Sequence, residues 1–131
     1  MARRIILLDT NYLIRGLVRG SGEATQLTQW LEEEVMLVTS GIAWYEFLCG
    51  PVNSRQEMAI RAFISNLIPF GNEEAQEAVR LFNVVGRKRS LRVDAMIAAT
   101  AICAKAALAT ENQEDFEGFV KEGLTLVEAT A

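Results

Sequence analysis

Three carboxylates in this sequence stand among apolar neighbours. Asp9 ends the run Ile5-Ile6-Leu7-Leu8, Glu46 is the one charge in Ala43-Trp44-Tyr45-Glu46-Phe47-Leu48-Cys49, and Asp94 lies between Val93 and Ala95-Met96-Ile97. A fourth acidic group, Glu111 with Glu114 and Asp115, follows Ala107-Leu108-Ala109-Thr110. Each has an ordinary explanation. Asp9 can cap a helix starting at Thr10, Asp94 can complement a helix dipole, and the 111–115 acids can form a solvated loop. Glu46 either snorkels to water or points into a cleft. Together they admit another reading. Three or four carboxylates in one pocket repel each other and raise each other's pKa values, and a divalent cation is the usual remedy. Oxygen-only donors favour Mg²⁺, with Mn²⁺ as substitute, over zinc. With an open coordination position, such an ion supports hydrolysis at phosphorus.

Composition removes most other chemistries. There is no histidine, which excludes Ser-His-Asp and Cys-His catalysis and every His-containing zinc site. Cys49 and Cys103 cannot supply four zinc ligands and read as buried thiols rather than a disulfide. No phosphate-cradling glycine motif of either common type occurs. The net charge is −4, so the whole molecule is no basic nucleic-acid binder. Arg87, Lys88, Arg89 and Arg92 nevertheless put four cations into six residues. They either hold an RNA backbone or balance nearby acids. No apolar run approaches the ~20 residues of a membrane span, and Ile5–Leu8 is too short for a signal peptide, so a cytoplasmic protein is expected.

A chain of 131 residues and 14.5 kDa suits one domain over 1–131. Its pattern predicts short buried strands at 5–8, 35–38, 107–110 and 124–127, with an edge strand at 67–70. Helices are expected over 10–17, 23–34, 42–49 (capped by Ser40), 54–66, 73–85 (capped by Asn72) and 93–107. The basic stretch 87–92 reads as an exposed loop and 113–119 as a short polar segment. Strands separated by helices imply an α/β fold: a short parallel sheet flanked by helices on both faces. Such a sheet gathers strand C-termini on one edge, where ligands bind. That edge receives Asp9 and Thr110, and the two apolar helices can bring Glu46 and Asp94 to it.

Leu7-Leu8-Asp9-Thr10-Asn11-Tyr12-Leu13-Ile14 resembles the opening motif of the PIN-domain ribonucleases. Tyr45-Glu46-Phe47 resembles their second acidic motif, the 93–101 stretch around Asp94 the third, and 109–116 around Thr110 the fourth. The size is similar to the VapC toxins of bacterial toxin–antitoxin pairs. The resemblance implies a Mg²⁺-dependent endoribonuclease with Asp9 and Asp94 as principal metal ligands. Glu46 would complete the cluster directly or through water, and Thr110 would orient water or a carboxylate. The products implied are a 5′-phosphate and a 3′-hydroxyl. Some family members carry an acid where this sequence has Asn112, so Asp115 either supplies that carboxylate or the site works with three. A homodimer and a separate antitoxin are implied as partners of the protein, with the helices over 23–34 and 54–66 as candidate contacts. A housekeeping PIN nuclease and a non-catalytic PIN-fold binding module are the rival readings.

Overall fold

Four apolar residues with no charge among them, Ile5–Leu8, form the central strand β1 of a five-stranded parallel sheet ordered β3-β2-β1-β4-β5. The computed structural model describes residues 3–128. Along the chain run β1 (Ile5–Leu8), α1 (Thr10–Arg15), α2 (Gly22–Glu32), β2 (Met36–Ser40), α3 (Gly41–Cys49), α4 (Ser54–Arg61) and β3 (Asn66–Ile68). Then come α5 (Asn72–Val84), α6 (Arg92–Cys103), β4 (Ala107–Ala109), α7 (Gln113–Phe116) and β5 (Thr125–Leu126). Single 3-10 segments cover Arg89–Leu91 and Glu117–Glu122. The α/β architecture read from the sequence is the one observed.

Successive strand residues face opposite sides of the sheet, and this alternation builds two cores. Leu7, Val38 and Leu108 pack against Leu81 of α5, Ile97 of α6, and Phe116 and Phe119. Ile6, Leu8 and Leu37 pack on the other side with Tyr12, Leu13, Leu27, Trp30, Phe47 and Ile60 from α1–α4. Both faces are therefore covered, which is why the strands read as continuous apolar runs. Ala95, Ala98, Ala99 and Ala101 of α6 are fully buried. Their small side chains let this helix lie close to the centre of the sheet and against α5.

Several boundaries differ from the sequence reading. The helix expected over 54–66 stops at Arg61. Backbone pairing wins there: the Ser65 N–H donates to the Leu37 carbonyl at 2.7 Å, and Asn66–Ile68 joins β2 in parallel. The second strand runs on through Thr39 and Ser40. The buried Thr39 hydroxyl donates to the Leu8 carbonyl at 2.7 Å, which removes the cost of a polar group in the core. Ser40 caps α3 as expected, accepting from the Ala43 N–H at 2.9 Å. Asn72 is not the cap of α5 but its first residue; the preceding Gly71 N–H is satisfied by Glu74 at 2.9 Å. The 87–92 stretch is not a plain loop. Gly86 and Arg87 take left-handed φ values of 73° and 58°, the chain makes one 3-10 turn, and Arg92 already begins α6.

The cysteines are corrected too. Both are free, but Cys49 is exposed and Cys103 half-buried. Each closes its helix, where the inward faces are already filled by Phe47 on α3 and by Ala99 and Ala101 on α6. Among the described residues no helix is long and apolar enough to cross a membrane.

Candidate active site

The C-terminal edge of the sheet collects the acids. β1 stops at Leu8, and the Asp9 N–H still donates to the Ala109 carbonyl at 3.0 Å. This last ladder contact sets Asp9 beside Thr110. Asp9 is only 5% exposed. Its Oδ1 accepts from the Thr10 N–H at 2.8 Å. Its Oδ2 accepts from the Thr110 hydroxyl at 2.7 Å and from Asn11 Nδ2 at 3.2 Å. Asp9 thus caps α1 and occupies the floor of the site at once, so its two readings are not exclusive.

Glu46 reaches the site from α3. That helix buries Ala43, Trp44 and Phe47 and turns Tyr45 and Glu46 outward. Glu46 is exposed, and its Oε1 accepts from the Thr10 hydroxyl at 2.8 Å. It stands at the exposed rim of the site, not in a desolvated cleft. Asp94 sits in the first turn of α6, half-buried. Asp115, half-buried in α7, accepts from Asn112 Nδ2 at 2.7 Å. Thr110 is fully buried, and its oxygen also accepts from the Asn112 N–H at 2.9 Å.

Electrostatics link the four carboxylates. Burial first, and then the charges of Asp9, Asp115 and Glu46 in this order, together raise Asp94 to about 6. Burial also lifts Asp9 above its ordinary value, Glu46 adds to the lift, and hydrogen bonds from Thr110, Thr10 and Asn11 oppose it. Among the described residues, no Lys or Arg forms an ion pair with any of the four. Among the described residues, no paired cation offsets their repulsion.

The donor set fits a hard, oxygen-seeking cation. Among the described residues, no group of three or more acids or cysteines is disposed as a ready metal cage. Asp9 and Asp94 would hold the cation, with Glu46 and Asp115 alongside.

The raised pKa of Asp94, from burial and then repulsion, makes a stability prediction. A carboxyl whose folded pKa is raised contributes stability below its ordinary pKa and loses it as pH rises through the folded value. Without metal, the protein should therefore weaken between about pH 4 and pH 6. In EDTA at pH 7.5, Asp94→Asn should stabilise it by about 1–2 kcal/mol, discounted for the solvent reaching a half-buried group. The gain should vanish near pH 4. Thermal melts of both proteins across pH check this, and an equal gain at both pH values would contradict it.

Among the described residues, Arg87, Lys88, Arg89 and Arg92 form no ion pair with the acids. Arg87 donates to Asn83 Oδ1 at 2.6 Å and lies 5.0 Å over the Phe82 ring, and Arg92 packs 6.0 Å over the same ring. Lys88 and Arg89 are exposed. Thr10 and Asn11 were not singled out in the sequence, although two polar residues directly after a strand-ending acid mark that edge.

A family model described as "PIN domain" matches residues 6–119. No curated protein matches in sequence. A toxin–antitoxin complex from Klebsiella pneumoniae has a similar chain, 28% identical, at TM-score 0.72 over 95% of this chain and 98% of that one. VapBC2 from Rickettsia felis, bound to a promoter DNA fragment, matches at 19% identity and TM-score 0.70, covering 94% and 97%. VapBC-1 from nontypeable Haemophilus influenzae matches at 20% and 0.70, covering 95% and 97%. At these last two identities the likeness is one of fold.

Proposed function

This chain belongs to the PIN domain family, and we propose that it is a Mg²⁺-dependent endoribonuclease acting as the toxin of a toxin–antitoxin pair. The observation that carries the reading is the convergence of Asp9, Glu46, Asp94 and Asp115 on one sheet edge, close enough for the charges of three of them to add to the burial that raises the fourth. A structural role does not need four mutually repelling acids without a counter-ion. The solved chains it resembles belong to toxin–antitoxin complexes, which supports the toxin part.

In this reading Asp9 and Asp94 hold the cation and Glu46 faces its water shell. The bound ion would supply charge opposite the phosphoryl oxygens and lower the pKa of water. Thr110 fixes the Asp9 carboxylate through a hydrogen bond to Oδ2, so that carboxylate needs no reorganisation when substrate arrives. Asp115 supplies the acid that Asn112 lacks. Cleavage would leave a 5′-phosphate and a 3′-hydroxyl. The chain would act in the cytoplasm as a homodimer, with Mn²⁺ able to replace Mg²⁺. An antitoxin would cover apolar side chains left exposed on the α1, α2 and α4 surface, such as Ile14, Leu31 and Met58.

Expression of the chain alone should stop bacterial growth and create new 5′-phosphate RNA ends. Co-expression with its neighbouring gene should suppress both, and the Asp94→Asn variant should do neither. An unchanged set of RNA ends overturns the nuclease; ends that appear but ignore the neighbour overturn the toxin role.

The basic stretch then has a limited task. Arg87 and Arg92 also lie over Phe82, whereas the exposed Lys88 and Arg89 make no such ring contact and are the first phosphate contacts to test. With Asp94→Asn as the silent background, changing both to Ala should reduce the salt slope of RNA binding by about 1.4, or about 0.7 per lost contact. Filter binding over a salt series reads this; an unchanged slope makes the stretch a solvated connection only.

A further inference from the structure

Asn11 follows Asp9 by two residues and ties three parts of the site together. Its Nδ2 donates to Asp9 Oδ2 at 3.2 Å and to Thr110 Oγ1 at 3.3 Å. Its Oδ1 accepts from the Glu111 N–H at 3.1 Å. The last contact fixes the sense of the amide. A backbone N–H can only donate, so the carbonyl oxygen faces Glu111 and the NH₂ group must face Asp9. Asn11 therefore joins the end of β1 to the end of β4 and to the turn that leads to Asn112 and Asp115.

The same network orders the Thr110 hydroxyl. Its oxygen already accepts from Asn11 Nδ2 and the Asn112 N–H. The hydroxyl proton is left to point at Asp9 Oδ2, where the 2.7 Å contact lies. Asp9 Oδ2 thus receives two donors, while Oδ1 receives one, the Thr10 N–H. Each carboxylate oxygen has room for about two partners. Oδ2 is saturated, and Oδ1 keeps a free lone pair.

We propose that Asn11 is a positioning residue: it locks the Asp9 carboxylate so that Oδ1 is the oxygen offered to the cation, and it holds the 110–115 turn against that carboxylate. This rests on the nuclease reading and adds to it an assignment of the oxygen and of the side chain that selects it. Without Asn11, Asp9 Oδ2 loses one donor and the Glu111 N–H loses its acceptor. The carboxylate can then rotate, and the turn that carries Asp115 is untied from β1.

Two variants separate positioning from charge. Asn11→Ala removes all three contacts. Asn11→Asp keeps the shape but replaces the donor facing Asp9 with an acceptor and adds a negative charge. If Asn11 were a bystander near a cation site, the added charge would tighten cation binding. If it positions Asp9, the lost donor dominates and binding weakens. The probe is Mn²⁺ alone, titrated by calorimetry at pH 8 into the full chain, with melting in EDTA as the fold control. Both variants should bind Mn²⁺ about 10- to 100-fold more weakly than the parent, as expected for a residue that orients a metal ligand. Should Asn11→Ala be too unstable to measure, the isosteric Asn11→Asp carries the test. Parent-like or tighter binding by Asn11→Asp overturns the role of Asn11 and leaves the nuclease standing. A parent chain that binds no Mn²⁺ overturns both.

Discussion

The double variant Asp9→Asn/Asp94→Asn is expected to take up no measurable Mn²⁺ and to lose RNA cleavage by about 10³-fold or more, the size of a bound cation's contribution to phosphoryl charge stabilisation. The two substitutions do not act alike. Asp94 has no hydrogen-bonded partner among the described residues and is raised to about 6 by burial and its acidic neighbours. Its amide replacement relieves repulsion and breaks nothing. Asp9 sits inside a network in which Thr110 and Asn11 both donate to Oδ2. An amide there either turns its NH₂ group against two donors or gives up the Thr10 N–H. Asp9→Asn should therefore give back in stability what it gains from lost repulsion, whereas Asp94→Asn should show a clear gain. Calorimetry with Mn²⁺, cleavage of a fluorogenic RNA and melting in EDTA together test the pair. Parent-like Mn²⁺ affinity in a folded double variant would remove both residues as ligands and, with them, the metal-dependent reading.

Much of this site was legible in the sequence because its acids break apolar patterns. Asp9 at the end of Ile5–Leu8 and Asp94 among the alanines of α6 could not be solvated in the ordinary way, and parallel strands bring their C-termini to one edge. Glu46 followed the same logic less well. Its neighbours Trp44 and Phe47 are buried, but the helix turns Glu46 and Tyr45, 67% exposed, outward. The apolar context described the rest of α3 and not the side chain itself. Asn11 stayed invisible because its function is a set of contacts to Thr110 and Glu111, about a hundred positions away. No local pattern encodes those. The failed helix extension over 62–66 has the same origin: Ala62, Phe63 and Leu67 keep a plausible helical spacing, but from Ser65 on the backbone is claimed by β2. The contacts of the cations were no more legible. Arg87 and Arg92 are exposed, and both lie over Phe82, a contact that the basic run does not encode.

The fourth motif gives the second large effect. Asp115 stands three residues beyond Asn112, and the turn brings the two side chains within 2.7 Å, with Asn112 donating. Asn112 is thus the partner of the acid, not an empty place for it, and the charge of Asp115 reaches Asp94. Asp115→Asn should weaken Mn²⁺ binding and slow RNA cleavage by about 10- to 100-fold, the usual cost of losing an outer carboxylate at a metal site. Asn112→Asp alone should not help. It would set two carboxylates against each other where a donor now stands and would weaken the metal-free fold. Made together, the two changes exchange carboxylate and amide across the same hydrogen bond, and part of the affinity and of the rate should return. That non-additivity is the signature of a shared site. A first-turn helix acid with no such role would behave differently: Asp115→Asn would cost about 0.3–1 kcal/mol of stability and leave turnover intact. Cleavage rates across Mg²⁺ concentrations for the parent, both single variants and the double variant distinguish the cases. Full activity in Asp115→Asn would leave Asp9, Glu46 and Asp94 as the working acids. Recovery in the double variant places the fourth carboxylate in the pocket, whichever of the two positions carries it.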